Sequence, residues 1–143
     1  MGRVIVHLDR TPKDRSIAAI LDGYQNRVRT RGISVQFSES TDSNKYESEL
    51  SKLSGQLVLL DQRGVAMTSE EMANWLKSAT VDGNTTNIAV GPPDGFSKEL
   101  KKSASQIISL SQLTLTHEMA AALLMEQLYR ASEINRGSPY HRN

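Results

Sequence analysis

The chain has no cysteine, a single tryptophan and two phenylalanines in 143 residues. Without a thiol there is no disulfide framework, no thiolate zinc site and no cysteine nucleophile, so several chemistries fall away at once. Charge of one sign is also missing. Seventeen Lys and Arg stand against sixteen Asp and Glu, a net charge of +1, so any nucleic-acid contact must come from clustering rather than from overall charge. The opening MGRVIVHLDR holds only a few apolar residues before Asp9 and Arg10, too few for a signal peptide, and no later stretch approaches a membrane span. These absences predict a soluble, cytoplasmic protein with no membrane partner. The length predicts one domain, residues 1–143.

Common site motifs are lacking too. No Gly-Lys-Ser/Thr and no GxGxxG occurs, which disfavours nucleoside triphosphates and nicotinamide cofactors. His117-Glu118 begins an HExxH pattern, but residue 121 is alanine, so zinc hydrolysis is excluded and no metal is expected. There is no GxSxG elbow. The imidazole bases are His7, His117 and His141. His7 lies within a predicted strand and reads as structural.

What is present is alternation of strand and helix patterns. Arg3 to Leu8 is a β-branched run, and Thr11 with Pro12 reads as the start of a helix whose stripe is Ile17, Ile20, Leu21, Tyr24 and Val28, stopped at Gly32. Ile33 to Phe37 reads as a strand, Ser38 to Asn44 as a mobile polar loop, and Tyr46 to Leu53 as a short helix. Gln56 to Leu60 is an apolar strand closed by a turn, Asp61 to Gly64. Thr68 and Glu71 form a capping box, with Met67 and Met72 as a hydrophobic staple, and open a helix to about Ala79. Two more strands, Asn87 to Val90 and Ile107 to Leu110, flank a Lys-rich helix starting near Ser97. A last helix opens near Thr114 or Thr116, carries Ala120, Leu123, Leu124, Leu128, Ala131 and Ile134 on one face, and ends at Gly137. This order predicts an α/β domain around a mostly parallel sheet flanked by helices.

In open parallel sheets ligands bind beyond the carboxyl ends of strands, which singles out Asp61 to Gly64, Gly91 to Gly95 and Ser109 to Thr116. Each alone would pass for an ordinary strand-to-helix turn. Two basic groups, Arg27, Arg29 and Arg31, and Lys98, Lys101 and Lys102, are either solvated helix faces or phosphate contacts. Glu126 and Arg130 have the spacing of a helix-surface ion pair. The tail from Arg136 to Asn143 packs Tyr140, His141 and Arg142 together, residues able to stack on exposed bases or to titrate near neutrality.

Three blocks in order, Ser109 to His117 (SLSQLTLTH), Glu126 to Ala131 (EQLYRA) and Pro139 to Arg142 (PYHR), resemble the C-terminal signature of the ribosomal RNA large subunit methyltransferase H family, among the knotted SPOUT methyltransferases. The likeness takes in Leu59-Leu60-Asp61 and the loop from Val90 to Gly95, and extends faintly over the first half of the chain. It implies a C-terminal trefoil knot over about residues 86–143, a homodimer, and S-adenosylmethionine as methyl donor. The implied reaction is methylation of N3 of a pseudouridine in large-subunit (23S) ribosomal RNA, within the ribosome. The resemblance assigns the cofactor to Leu60, Gly91, Pro92, Ser111, Gln112, Leu113, Thr114, Leu115 and Thr116, mainly through backbone groups. It makes His141 the base, with His117 second, Tyr140 and Arg142 the contacts to RNA, and Arg130 the residue that orients tail or RNA. Two positions depart from the family pattern: Pro92 replaces a second glycine, and Ala121 replaces an arginine. They motivate an alternative, a catalytically weak knotted protein that binds RNA or ribosomes as an assembly factor.

Overall fold

The computed structural model describes residues 2–38 and 42–142. In chain order it contains β1 (Arg3–Leu8), α1 (Arg15–Val28), a short 3-10 turn (Arg29–Arg31), β2 (Ile33–Phe37), α2 (Ser43–Ser51), β3 (Gln56–Ala66), α3 (Ser69–Val81), β4 (Thr85–Ala89), α4 (Lys98–Ser103), β5 (Gln106–Ser109) and α5 (His117–Asn135). The five strands form one sheet in the order β2-β1-β4-β3-β5, and every neighbouring pair is parallel. A parallel sheet must be covered on both faces, and side chains along each strand alternate between them. Val4, Val6, Val58 and Ile88 accordingly join the core under α1, α3 and α5, with Leu21, Leu76, Leu124 and Leu128. Leu59 and Ala89, one residue along from Val58 and Ile88, face the opposite side and pack with Tyr46 and Leu50 of α2 and with Phe96 and Leu100.

Most helix boundaries follow local chemistry. The capping box at the start of α3 is complete, with Thr68 accepting from the Glu71 N–H and the Glu71 carboxylate accepting from the Thr68 N–H. Gly32 and Gly137, both with positive φ, stand where the sequence predicts stops. Three expectations are corrected. Helix α1 is capped by Asp14, not Thr11: its carboxylate accepts from the N–H groups of Ser16 and Ile17, while Glu118 of α5 accepts from the N–H groups of Lys13 and Asp14 and holds the approach to the helix. Strand β3 does not end at Leu60. Leu60 and Val65 both pair with Ile108, so Asp61 to Gly64 form an excursion inside a strand that resumes. On α5 the buried face includes Ala121, Ala122 and Met125, while Ala120 and Leu123 are half-buried, because the helix packs against both α1 and α3 rather than along one stripe. The loop expected over Ser38 to Asn44 includes residues 39–41, which lie outside those described.

Candidate functional site

The three segments singled out in the sequence meet. Leu60 to Arg63 from β3, Val90 to Phe96 after β4 and residues 110–115 after β5 enclose a cavity of about 320 Å³, closed below by His117 and Ala120 at the start of α5. Such a volume lies at the lower end of the range for small-molecule pockets. Its walls are backbone and small side chains more than charge. A Cβ at Gly91 would come within 3.1 Å of the Phe96 ring, a tight contact that the glycine avoids as the chain passes the aromatic wall. Pro92 is buried in the same loop, and its carbonyl accepts from the Gly95 N–H at 2.8 Å, closing the turn.

The residues after β5 are shaped by their own hydroxyls. Ser109 donates to the Ser111 carbonyl at 3.0 Å, the Ser111 hydroxyl accepts from the Leu113 N–H at 2.9 Å, and Thr116 caps α5 by accepting from Met119. Leu113 is 74 % exposed at the rim, a large apolar side chain with nothing over it among the described residues. Of the stretch the resemblance assigns, Ser111, Leu113, Thr114 and Leu115 line the cavity, whereas Gln112 turns outward and Thr116 serves the helix.

Behind the pocket lies a buried polar brace that the sequence reading missed. The Tyr46 hydroxyl, on a residue 2 % exposed, is shared between the carbonyls of His7 at 3.0 Å and Val90 at 2.8 Å, and its ring stacks on Phe96. Burial, with the charges of Asp9 and Glu49, pushes this hydroxyl well above its ordinary range, so it stays a donor. His7 is structural, as expected. Asn87 donates its amide to the carbonyls of Ser54 and Gln56, which leaves its oxygen to accept from His7 Nε2 at 2.9 Å and fixes the imidazole tautomer. Burial lowers the His7 pKa, with the Asn87 bond and the Glu49 charge opposing.

Two cations line the cavity, Arg63 and Lys101. Lys101 is not available to phosphate, because its ammonium pairs with Asp61 at 2.7 Å. Burial pushes the Asp61 carboxyl up, but the Lys101 and Arg63 bonds and charges outweigh it and hold the group below its ordinary value. Arg27, exposed, and Arg31 contact aromatic rings of the fold. Both lie over the Tyr129 ring, and Arg31 also donates to Ser132 at 2.7 Å.

The tail residues form a separate cluster. Arg130 donates to both carboxylate oxygens of Glu126, at 3.3 and 2.8 Å, and Tyr140 donates to the same carboxylate at 2.7 Å beneath the Arg130 guanidinium. Arg130 always carries its protons, so His141 Nδ1 accepts from it at 3.1 Å and His141 Nε2 donates to Glu70 at 3.0 Å. Both ring nitrogens are thus occupied. Arg142 is exposed. None of Arg130, Tyr140, His141 and Arg142 lines the cavity of its own chain. Arg130 lies about 15 Å along α5 from Ala120 at the pocket floor, from the rise of about 1.5 Å per residue.

Comparison with known proteins identifies the family. The family described as predicted SPOUT methyltransferase matches residues 4–141. A ribosomal RNA large subunit methyltransferase H of Methylibium petroleiphilum is 35 % identical over 95 % of this chain and 85 % of its own length, and one of Koribacter versatilis is 37 % identical over 96 % and 95 %. Among solved structures, a probable methylase family protein from Haemophilus influenzae Rd KW20 shares the fold, with a TM-score of 0.58 at 13 % identity, covering 98 % of this chain and 70 % of its own. Together with the parallel sheet, the match over nearly the whole length makes the chain a member of the SPOUT methyltransferase family.

Proposed function

We propose that this protein is a homodimeric, S-adenosylmethionine-dependent methyltransferase that modifies N3 of a pseudouridine in large-subunit ribosomal RNA, acting in the cytoplasm on the assembled ribosome. One observation carries the reading: Leu60, Gly91, Pro92, Ser111, Leu113, Thr114 and Leu115, assigned to the cofactor from separate parts of the sequence, line one cavity. The residues present fit that cofactor. The cavity volume, the close approach of Gly91 to Phe96 and a lining of small and apolar residues broken by Asp94 and Arg63 suit a bent ligand held largely by shape, with charge at its sulfonium and its amino-acid end. When bound, S-adenosylmethionine supplies the methyl group for an in-line displacement, whose main requirement is alignment of donor and acceptor.

The chain's own residues supply that alignment. The loop of Gly91 to Gly95 and the loop of residues 110–115 form facing walls, and Leu113 offers an exposed apolar surface at the rim. The pseudouridine N3 proton must be weakened or removed, and His141 is the proposed group once its Nδ1 exchanges the Arg130 contact for the incoming base, with Tyr140 and Arg142 meeting the base and its phosphates. Because the tail is docked about two or three helical turns from its own pocket, by the rise per turn of about 5.4 Å, this role places it at the pocket of a second copy, which is why the reading is dimeric. Arg130 positions the tail through His141 Nδ1 and the Tyr140 ring. One domain over residues 1–143, with its last part threaded as a trefoil knot, is part of the same proposal. The alternative, a catalytically weak knotted protein that binds RNA or ribosomes as an assembly factor, rests on the N–H that Pro92 lacks and the cation that Ala121 lacks. Ala121 is packed in the core at 4 % exposure, and Arg63 supplies a cation in the cavity lining that Pro92 shares.

Calorimetric titration of the whole chain with S-adenosylmethionine tests the pocket, and deletion of Ser138 to Asn143 tests the tail. The proposal expects binding well below about 1 mM, retained after the deletion, with methyl transfer lost. Absence of binding at millimolar cofactor contradicts the pocket, and full transfer by the truncated protein contradicts the tail.

A further inference from the structure

The excursion in β3 reaches across the pocket to the loop after β5. Gln62, at its tip, donates from Nε2 to the Gln112 carbonyl at 2.8 Å and accepts at Oε1 from the Thr114 hydroxyl at 3.0 Å. The two contacts fix the amide's orientation, since a carbonyl can only accept and the hydroxyl is left to donate. Gln62 and Thr114 both line the cavity. The rest of the excursion is built to hold Gln62 where it is. Asp61 is anchored to Lys101 of α4 at 2.7 Å and accepts from the Arg63 N–H at 2.8 Å. Gly64 passes so close to β5 that a Cβ there would lie 2.7 Å from the Ile107 carbonyl carbon and oxygen. The four inserted residues fit between two that both pair with Ile108.

On the inner side, the loop after β5 is shaped by the Ser109 and Ser111 hydroxyls. The Gln62 side chain adds a tie from the same loop, through Gln112 and Thr114, to the sheet. We infer that Gln62 is a positioning residue for the cofactor loop, a strap that sets the backbone of residues 112–114 in its binding geometry before the ligand arrives. This rests on the reading of the cavity as the S-adenosylmethionine pocket. A loop held in place in advance loses less freedom on binding, so the strap strengthens affinity and slows dissociation without touching the transferred methyl group. Two neutral hydrogen bonds between exposed residues predict a modest effect, about fivefold to thirtyfold in the dissociation constant.

The test compares Gln62→Ala, Gln62→Asn, Thr114→Val and the double variant Gln62→Ala/Thr114→Val, by S-adenosylmethionine calorimetry and by amide hydrogen exchange of the ligand-free protein. Gln62→Asn keeps the amide but loses a methylene of reach, so it should behave like Gln62→Ala. For the Gln62 variants the expected results are weaker binding, an unchanged melting temperature, a raised KM for cofactor, and faster exchange at residues 111–115. The double variant should lose less affinity than the two single variants summed, because they share one hydrogen bond. Wild-type affinity and wild-type exchange in Gln62→Ala would overturn the strap. If the wild-type chain itself binds no cofactor, the pocket reading fails, and the exchange comparison still decides whether Gln62 orders the loop.

Discussion

Replacing Tyr46 with phenylalanine removes one oxygen atom and tests how the fold holds its pocket. The ring is retained, stacked on Phe96 with centroids 6.4 Å apart, so little volume changes. The hydroxyl now serves two buried carbonyls. The His7 carbonyl keeps another donor, the Val90 N–H at 3.0 Å, but the Val90 carbonyl loses the hydroxyl at 2.8 Å in a place where water does not reach, Val90 being 3 % exposed. Leaving one buried acceptor without its donor costs about 1–3 kcal/mol. For a chain of 143 residues this corresponds to a fall in Tm of about 3–10 °C, read by calorimetry or far-ultraviolet circular dichroism. Because Val90 leads directly into Gly91, cofactor affinity should fall as well. A Tm within about 1 °C of wild type, with unchanged affinity, would refute the claim that this hydroxyl braces the pocket.

Other perturbations follow from single contacts. Gly64→Ala places a methyl group against the Ile107 backbone, and the resulting shift between β3 and β5 should lower the urea midpoint by the equivalent of about 1–3 kcal/mol. Thr68→Ala breaks the capping box of α3 and should cost about 1 kcal/mol in the same assay, with no effect on cofactor binding. His7 has its pKa lowered from an ordinary 6.5 by burial, so its contribution to stability is complete above that value and is lost as pH falls below it towards the folded-state value. Tm should therefore decline from neutrality into mildly acid solution, and His7→Gln should flatten the decline; an equal decline in both proteins would contradict the assignment. Glu126→Gln removes the charge that holds Arg130 and Tyr140, and should raise hydrogen exchange at residues 138–142 while leaving that of the sheet unchanged.

Much of the fold was legible because it is written locally. The Thr68 and Glu71 capping box, the stops at Gly32 and Gly137 and the apolar strand runs are short-range signals, and the elements formed where those signals lie. Legibility failed where distant residues decide. Thr11 and Asp14 are both competent caps, and the choice of Asp14 is accompanied by Glu118 of α5 binding the N–H groups of Lys13 and Asp14, a contact no local pattern contains. Asp61 to Gly64 reads as a terminal turn because only the pairing of Val65 with Ile108 reveals that the strand resumes. The β-branched Val65 after Gly64 was the available hint. On α5 the periodicity marks a single stripe, whereas contact with both α1 and α3 draws Ala121 and Met125 inward, and even Ser132 and Glu133 are buried beside Arg31. The cofactor loops could be named from the resemblance, since they are contiguous stretches. Gln62 and Tyr46 could not, because each acts on groups about 40–50 residues away through one polar atom, a separation over which sequence periodicity carries no signal.

The central claim, methyl transfer to a pseudouridine of large-subunit ribosomal RNA, is tested most directly by mass spectrometry of that RNA from a strain deleted for this protein. The account predicts one pseudouridine lacking a methyl group at N3, with the mass restored by the wild-type protein and not by the chain lacking Ser138 to Asn143. An identical, fully methylated RNA in the deleted strain would contradict it.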